Sequence, residues 1–246
     1  MEDYKSCRLT WKENIRIILK GTAMISILGI LFYQSVIGIF CLSPLILLYQ
    51  KVEKKKHLEE RKWQLNIQFR DGIFGLSAAL SAGYSAEHAF DEALKDLSLI
   101  YEEDAMIMRE FAYISNQIRM NITAEKALMD FGERTGIEDI IGFSEIFTTA
   151  KRTGGDLIKI IKTTGNVISD KIDVKREIIT LITAKKYEAD IMKIIPVGII
   201  GYLYLSSPGF LDPLYHNLPG ALIMTLVLAV YLGAYAIIEK IVAIKV

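Results

Sequence analysis

Apolar residues crowd the two ends of the chain and are spaced out through its middle. Residues 21–50 contain no Asp, Glu, Lys, Arg or His, and residues 221–238 again contain none. A helix needs about 20 apolar residues to cross the hydrocarbon core of a bilayer, so both runs predict membrane-spanning helices. The first run is long for one span. Gln34-Ser35 near its middle, with Gly38 soon after, offers a turn between short helices over residues 16–33 and 35–50. Charge placement agrees, because Lys12, Arg16 and Lys20 precede the run while Lys51, Lys54, Lys55 and Lys56 follow it, and a hairpin keeps both basic clusters in the cytoplasm. Residues 193–211 and 221–238 read as a second hairpin. Its connection, SSPGFLDPLYHNLPG, has no Lys or Arg and carries Tyr215, which suits an outer interface. Pro196 takes one backbone hydrogen bond out of the third span and is expected to kink it.

The middle of the chain repeats at helical spacing. Phe69, Ile73, Leu76 and Leu80 recur every three or four residues, as one face of a helix requires. Gly83 stops that helix, and Ser85 starts another by offering its hydroxyl to the orphan N–H groups of the first turn, with Glu87 well placed for the helix dipole. The same grammar returns downstream: Ser85-Ala86-Glu87-His88-Ala89-Phe90 is matched by Thr123-Ala124-Glu125-Lys126-Ala127-Leu128. The repeat predicts a bundle of two similar helical hairpins, with Ala89 and Ala127 small enough for a neighbouring helix to come close. Gly132 and the Arg134-Thr135-Gly136 stretch are expected to end the second short helix. The next helix covers residues 137–152, with Ile140, Ile141, Phe143, Ile146 and Phe147 on one broad face. After Gly154-Gly155 a helix starting near Asp156 runs through Ile160, Val167, Ile168, Ile172, Ile178 and Ile182 into the third span. The fold class is therefore an all-α membrane protein, with a tail at 1–15, a hairpin at 16–50, a cytoplasmic helical domain at 51–190 and a hairpin at 191–246. The plasma membrane of a bacterium is the expected location, with both termini cytoplasmic.

Composition narrows the function classes. The chain has 246 residues, of which 52% are hydrophobic and 24% charged, and its mean hydropathy is +0.30. The 29 basic residues balance the 29 acidic ones, so net charge points to no nucleic-acid partner. His57, His88 and His216 are scattered, and no catalytic or metal-ligating constellation appears. No cofactor is expected, and the chain does not read as an enzyme. A phosphate loop needs G-x-x-x-x-G-K-[ST] after a strand. Here Gly154-Gly155 follows a helix and precedes Asp156, which would repel phosphate. The glycine pair reads instead as a break, with Asp156 capping the new helix. Glu102, Glu103 and Asp104 read as an acidic helix N-terminus and, together with Lys151 and Arg152, as candidate docking charges for a partner.

Taken together, FRDGIFGLSAALSAGYSAEHAF, the later TAEKAL, and AKRTGGDLIKIIKTTGNVISDKI followed by a membrane hairpin resemble the type II secretion system F domain, in the single-copy form of Tad (Flp) pilus platform proteins. The likeness runs from about Phe69 to the C-terminus and rests on the order of three elements: Gly83, Ser85 and Ala89; then Gly154, Gly155 and Leu157; then the Pro196 span. Other branches of the family carry a Glu before the glycine motif where this chain has Arg152, so no role for that acid carries over. The resemblance implies a platform that couples a hexameric secretion ATPase to prepilin extraction and filament assembly. Its single copy implies pairing with itself or with a second F-domain protein, within the lipid bilayer. Gly154-Gly155 and the helix after them would form the coupling joint. A membrane-anchored scaffold or signalling adaptor with no secretion role would share the same topology.

Overall fold

The computed structural model describes residues 11–34, 43–153, 156–207, 209–215 and 217–242. They form helices α1 (Trp11–Tyr33), α2 (Pro44–Ser81), α3 (Ala86–Ser98), α4 (Met106–Arg119), α5 (Ala124–Thr135), α6 (Glu138–Thr153), α7 (Leu157–Ser206), the single turn α8 (Asp212–Tyr215) and α9 (Leu218–Val242). No strand occurs among the described residues, so the all-α class holds. The helices gather into two compact units, one within Lys55–Val174 and the other comprising residues 11–54 and 175–242.

In the first unit the expected stripe on α2 is the centre of the core. Phe69 is 0% exposed, and Ile73, Leu76 and Leu80 are buried with it. Ala89, Phe90, Ala93 and Leu97 of α3 join this core, as do Ile107, Phe111 and Ile114 of α4 and Ala127, Leu128 and Phe131 of α5. From α6 come Ile140, Phe143 and Phe147, and from α7 Ile161, Ile168 and Ile172. Phe69 stands edge-on to Phe131 and to Phe143, with ring centroids 5.8 and 5.4 Å apart. Such pairs add to the area they bury. α3 packs on α4, α4 on α5 and α5 on α6. The buried faces of the last two helices are narrower than the sequence pattern. Ile146 is 43% exposed and Val167 is 60% exposed, because only one stripe of each helix reaches the core.

Helix ends divide into those the sequence foretells and those set by tertiary contacts. Gly83 has φ +92° after α2, as a chain-reversing glycine should. Ser85 Oγ accepts from His88 N at 3.3 Å, and Asp156 Oδ1 accepts from Lys159 N at 3.0 Å, both as expected caps. Thr123 precedes α5, but its hydroxyl makes no capping bond. Gly132 does not end α5. It lies inside the helix, where an added Cβ would meet Ile141 Cα at 3.2 Å, and the stop falls at Gly136 with φ 58°. α4 starts at Met106 after Ala105, so Glu102, Glu103 and Asp104 stand in the turn directly ahead of its N-terminus. Since Ala105 has no capping group, Gln68 of α2 supplies one from across the bundle by accepting from Ile107 N at 3.2 Å.

In the second unit Ile25, Leu28 and Phe32 of α1 pack against Met224 and Leu228 of α9, with Val197 and Ile200 of α7 and Leu45 and Ile46 of α2 around them. Tyr215 donates its hydroxyl to Leu31 O at 2.6 Å, tying the turn before α9 to the end of α1. Tyr49 lies against Gly21, where an added Cβ would be 3.1 Å from its ring. Among the described residues three helices are long and apolar enough to cross a membrane: Asn14–Tyr33, Leu157–Ser206 and Pro219–Ile241. The expected span at 35–50 falls partly on residues 35–42, outside the described residues, and its remainder is the first turns of α2. α1 ends at Tyr33, and Gln34 after it has φ 44°.

Candidate functional site

The repeat that opens α3 and α5 places Glu87 and Glu125 at the same position of each helix, in the first turn. Both carboxylates reach Lys151 in the last turn of α6, Glu87 Oε1 at 2.8 Å and Glu125 Oε2 at 3.4 Å from Nζ. Each group also sits at the helix end whose dipole favours its charge. Lys151, expected as a free docking charge, is instead held within the bundle with a side chain 27% exposed. Its neighbour Arg152 is exposed, as are Glu102, Glu103 and Asp104.

The hydrogen bond from Lys151, with help from the Glu87 backbone, outweighs partial burial and holds the Glu87 carboxyl below its ordinary range. Burial works against the Lys151 ammonium, yet Glu87 and Glu125 prevail and its pKa stands above the ordinary lysine value. The depressed carboxyl gives stability that is present above its unfolded value of about 4.3 and is lost as pH falls through the folded value. The raised ammonium gives stability that is complete below about 10.4 and is lost as pH rises through the folded value. Because the groups are partly solvated, Lys151→Met is expected to cost at most about 1 kcal/mol at neutral pH. It should also shrink the loss of stability on the acid side, measured by urea unfolding from pH 3 to 7. An unaltered acid limb in the variant would contradict this account.

The remaining motif residues do not converge on one point. Ala89 is in the core at 0% exposure, Leu157 begins α7 and packs against the same core, and Pro196 lies inside α7 in the other unit. Gly154 and Gly155 lie outside the described residues. Lys193, at the edge of the third apolar segment, is not a lone charge. Its Nζ lies 2.6 Å from Glu239 Oε1 and 3.0 Å from Asp190 Oδ1, and 4.9 Å from the centre of the Tyr235 ring. Ionisable residues inside membranes usually pair in this way. Among the described residues no group of three or more His, Cys, Asp or Glu is placed to hold a metal ion.

No family model, curated protein or solved structure matches the chain.

The sequence reading missed one ionic centre. Glu110, 2% exposed, receives Arg134 Nη1 and Nη2 at 3.2 and 2.7 Å, while Arg134 Nε bonds Asp130 Oδ2 at 2.9 Å. The guanidinium also stacks 5.2 Å from the centre of the Tyr113 ring. A signal was present: Glu110 interrupts the apolar stripe of Ile107, Phe111 and Ile114, and a charged residue at a core-facing position implies a partner.

Proposed function

We propose that the chain is a platform protein of a type II secretion-like or Tad pilus assembly machine. In this reading the Lys55–Val174 unit is cytoplasmic and engages a hexameric secretion ATPase, and the apolar helices contact prepilins leaving the bilayer. One observation supports the reading above others. α7 is a single helix of 50 residues that carries bundle core at Ile161, Ile168 and Ile172 and an apolar segment around Pro196. A chain without a catalytic constellation, whose bundle shares a helix with a candidate span, is suited to pass a displacement across the membrane surface.

The hairpin topology belongs to the same proposal. Tyr215 bonding Leu31 O puts the end of α1 beside the turn before α9, as expected if both lie on the outer side with the basic flanks inside. The test is in-cell crosslinking of a chromosomally tagged copy, with mass spectrometry of what is recovered from membranes of filament-building cells. Recovery of a secretion-type ATPase, a second F-domain protein or a prepilin is the expected result. Recovery of none of these from a well-expressed protein would overturn the platform reading in favour of a membrane-anchored adaptor.

A further inference from the structure

The chain lines an apolar groove at Ile100, two residues before the exposed acids that precede α4. The groove, about 310 Å³, is lined by Asp71, Phe74, Gly75 and Ala78 of α2, by Asp96 and Leu97 of α3 and by Ile100 just beyond it. Tyr101 donates its hydroxyl to Asp71 Oδ2 at 2.5 Å, which fastens the turn carrying Glu102, Glu103 and Asp104 to the groove wall. Leu99 is 85% exposed and Ile100 66% exposed. Leu99 is thus more open to solvent than any other large apolar side chain described in its unit, and isolated residues aside, such exposure beside a groove marks a contact surface.

The charges beside it that carry no ion pair among the described residues are acidic. Glu102, Glu103, Asp104 and Asp96 are exposed and make no ion pair among the described residues. The neighbouring cations are already engaged, Arg70 with Asp71 at 2.9 Å and Lys95 with Glu92 at 2.7 Å. The unpaired acids disfavour nucleic acid and anionic lipid at this surface. We propose that this groove and its acidic rim dock a partner protein through a helical segment whose apolar side chains enter beside Ile100 and whose flanking Lys or Arg residues face Asp96 and the 102–104 acids. That chemistry is argued from this surface alone; naming the partner as the ATPase rests on the platform reading.

The probe is a fluorescein-labelled helical peptide with a leucine stripe flanked by lysines, titrated against the full chain in phosphatidylcholine nanodiscs, with a twin peptide carrying glutamates for lysines. The lysine peptide is expected to bind and the glutamate twin is not. Glu102→Gln with Glu103→Gln and Asp104→Asn should weaken binding by about tenfold and flatten its salt dependence. Leu99→Ser with Ile100→Ser should weaken it by about tenfold while leaving the salt dependence in place. These side chains are exposed, and unchanged thermal melts of both variants check that the fold is kept. Equal binding of the two peptides, no binding of either, or full binding by either variant would overturn the proposal. If the peptide fails while crosslinking in cells still recovers the ATPase, the surface is wrong and the platform reading stands.

Discussion

Replacing Arg134 by methionine is expected to remove about 3–5 kcal/mol from the Lys55–Val174 unit, the cost of stranding a buried carboxylate. Glu110 is 2% exposed and draws two of its hydrogen bonds from this guanidinium. The competing effects on Arg134 are visible in its pKa: burial works against the charge, but the bonds to Glu110 and Asp130 leave it above the ordinary arginine value. With a whole-domain stability of about 5–15 kcal/mol, the single variant would forfeit a large share of it. A double variant, Arg134→Met with Glu110→Leu, should recover most of the loss, since an apolar pair of similar volume replaces a buried ion pair at little cost. Urea unfolding monitored by fluorescence decides it. Trp63 packs against this core, and the chain's other tryptophan, Trp11, is 80% exposed, so the signal reports on the right unit. A single-variant loss below about 1 kcal/mol would contradict the stranded-carboxylate account.

Phe69→Ala should be comparably damaging, at about 3–5 kcal/mol. The side chain is 0% exposed and joins two helices at once through its edge contacts with Phe131 of α5 and Phe143 of α6. Truncation empties the point where α2, α5 and α6 meet, and the flanking Leu65 and Ile73 are themselves fully packed and poorly able to fill the space. The loss should appear as a lower urea midpoint with an unchanged slope. A fall in the slope instead would indicate that the bundle has become a looser ensemble, and a midpoint within experimental error of the parent would show that Phe69 is not central to the core.

Local periodicity made the α2 stripe legible, since Phe69, Ile73, Leu76 and Leu80 needed only helical spacing to be placed on one buried face. Gly83 and Asp156 were legible for a similar reason, each acting within a few residues of itself. Contacts between distant segments were not. Gly132 and Gly136 look alike as helix stops, and only the proximity of Ile141 shows the first to be a packing glycine. The start of α4 depends on Gln68, far back in the sequence, which no local pattern around the three acids indicates. At the candidate site the repeat aligned Glu87 with Glu125, but nothing local to Lys151 indicated that both would reach it. Its place beside Arg152 made it look like a solvated pair.

The Lys151 junction has one cation and two carboxylates, a nearer partner at 2.8 Å and a farther one at 3.4 Å. Such a junction is redundant: if either acid is neutralised, the ammonium still has the other within reach, and the net charge of the three groups goes from minus one to zero. Tolerance is therefore asymmetric. Either glutamate can drift to glutamine with little effect on the fold, whereas the lysine, which serves both repeats, has no understudy.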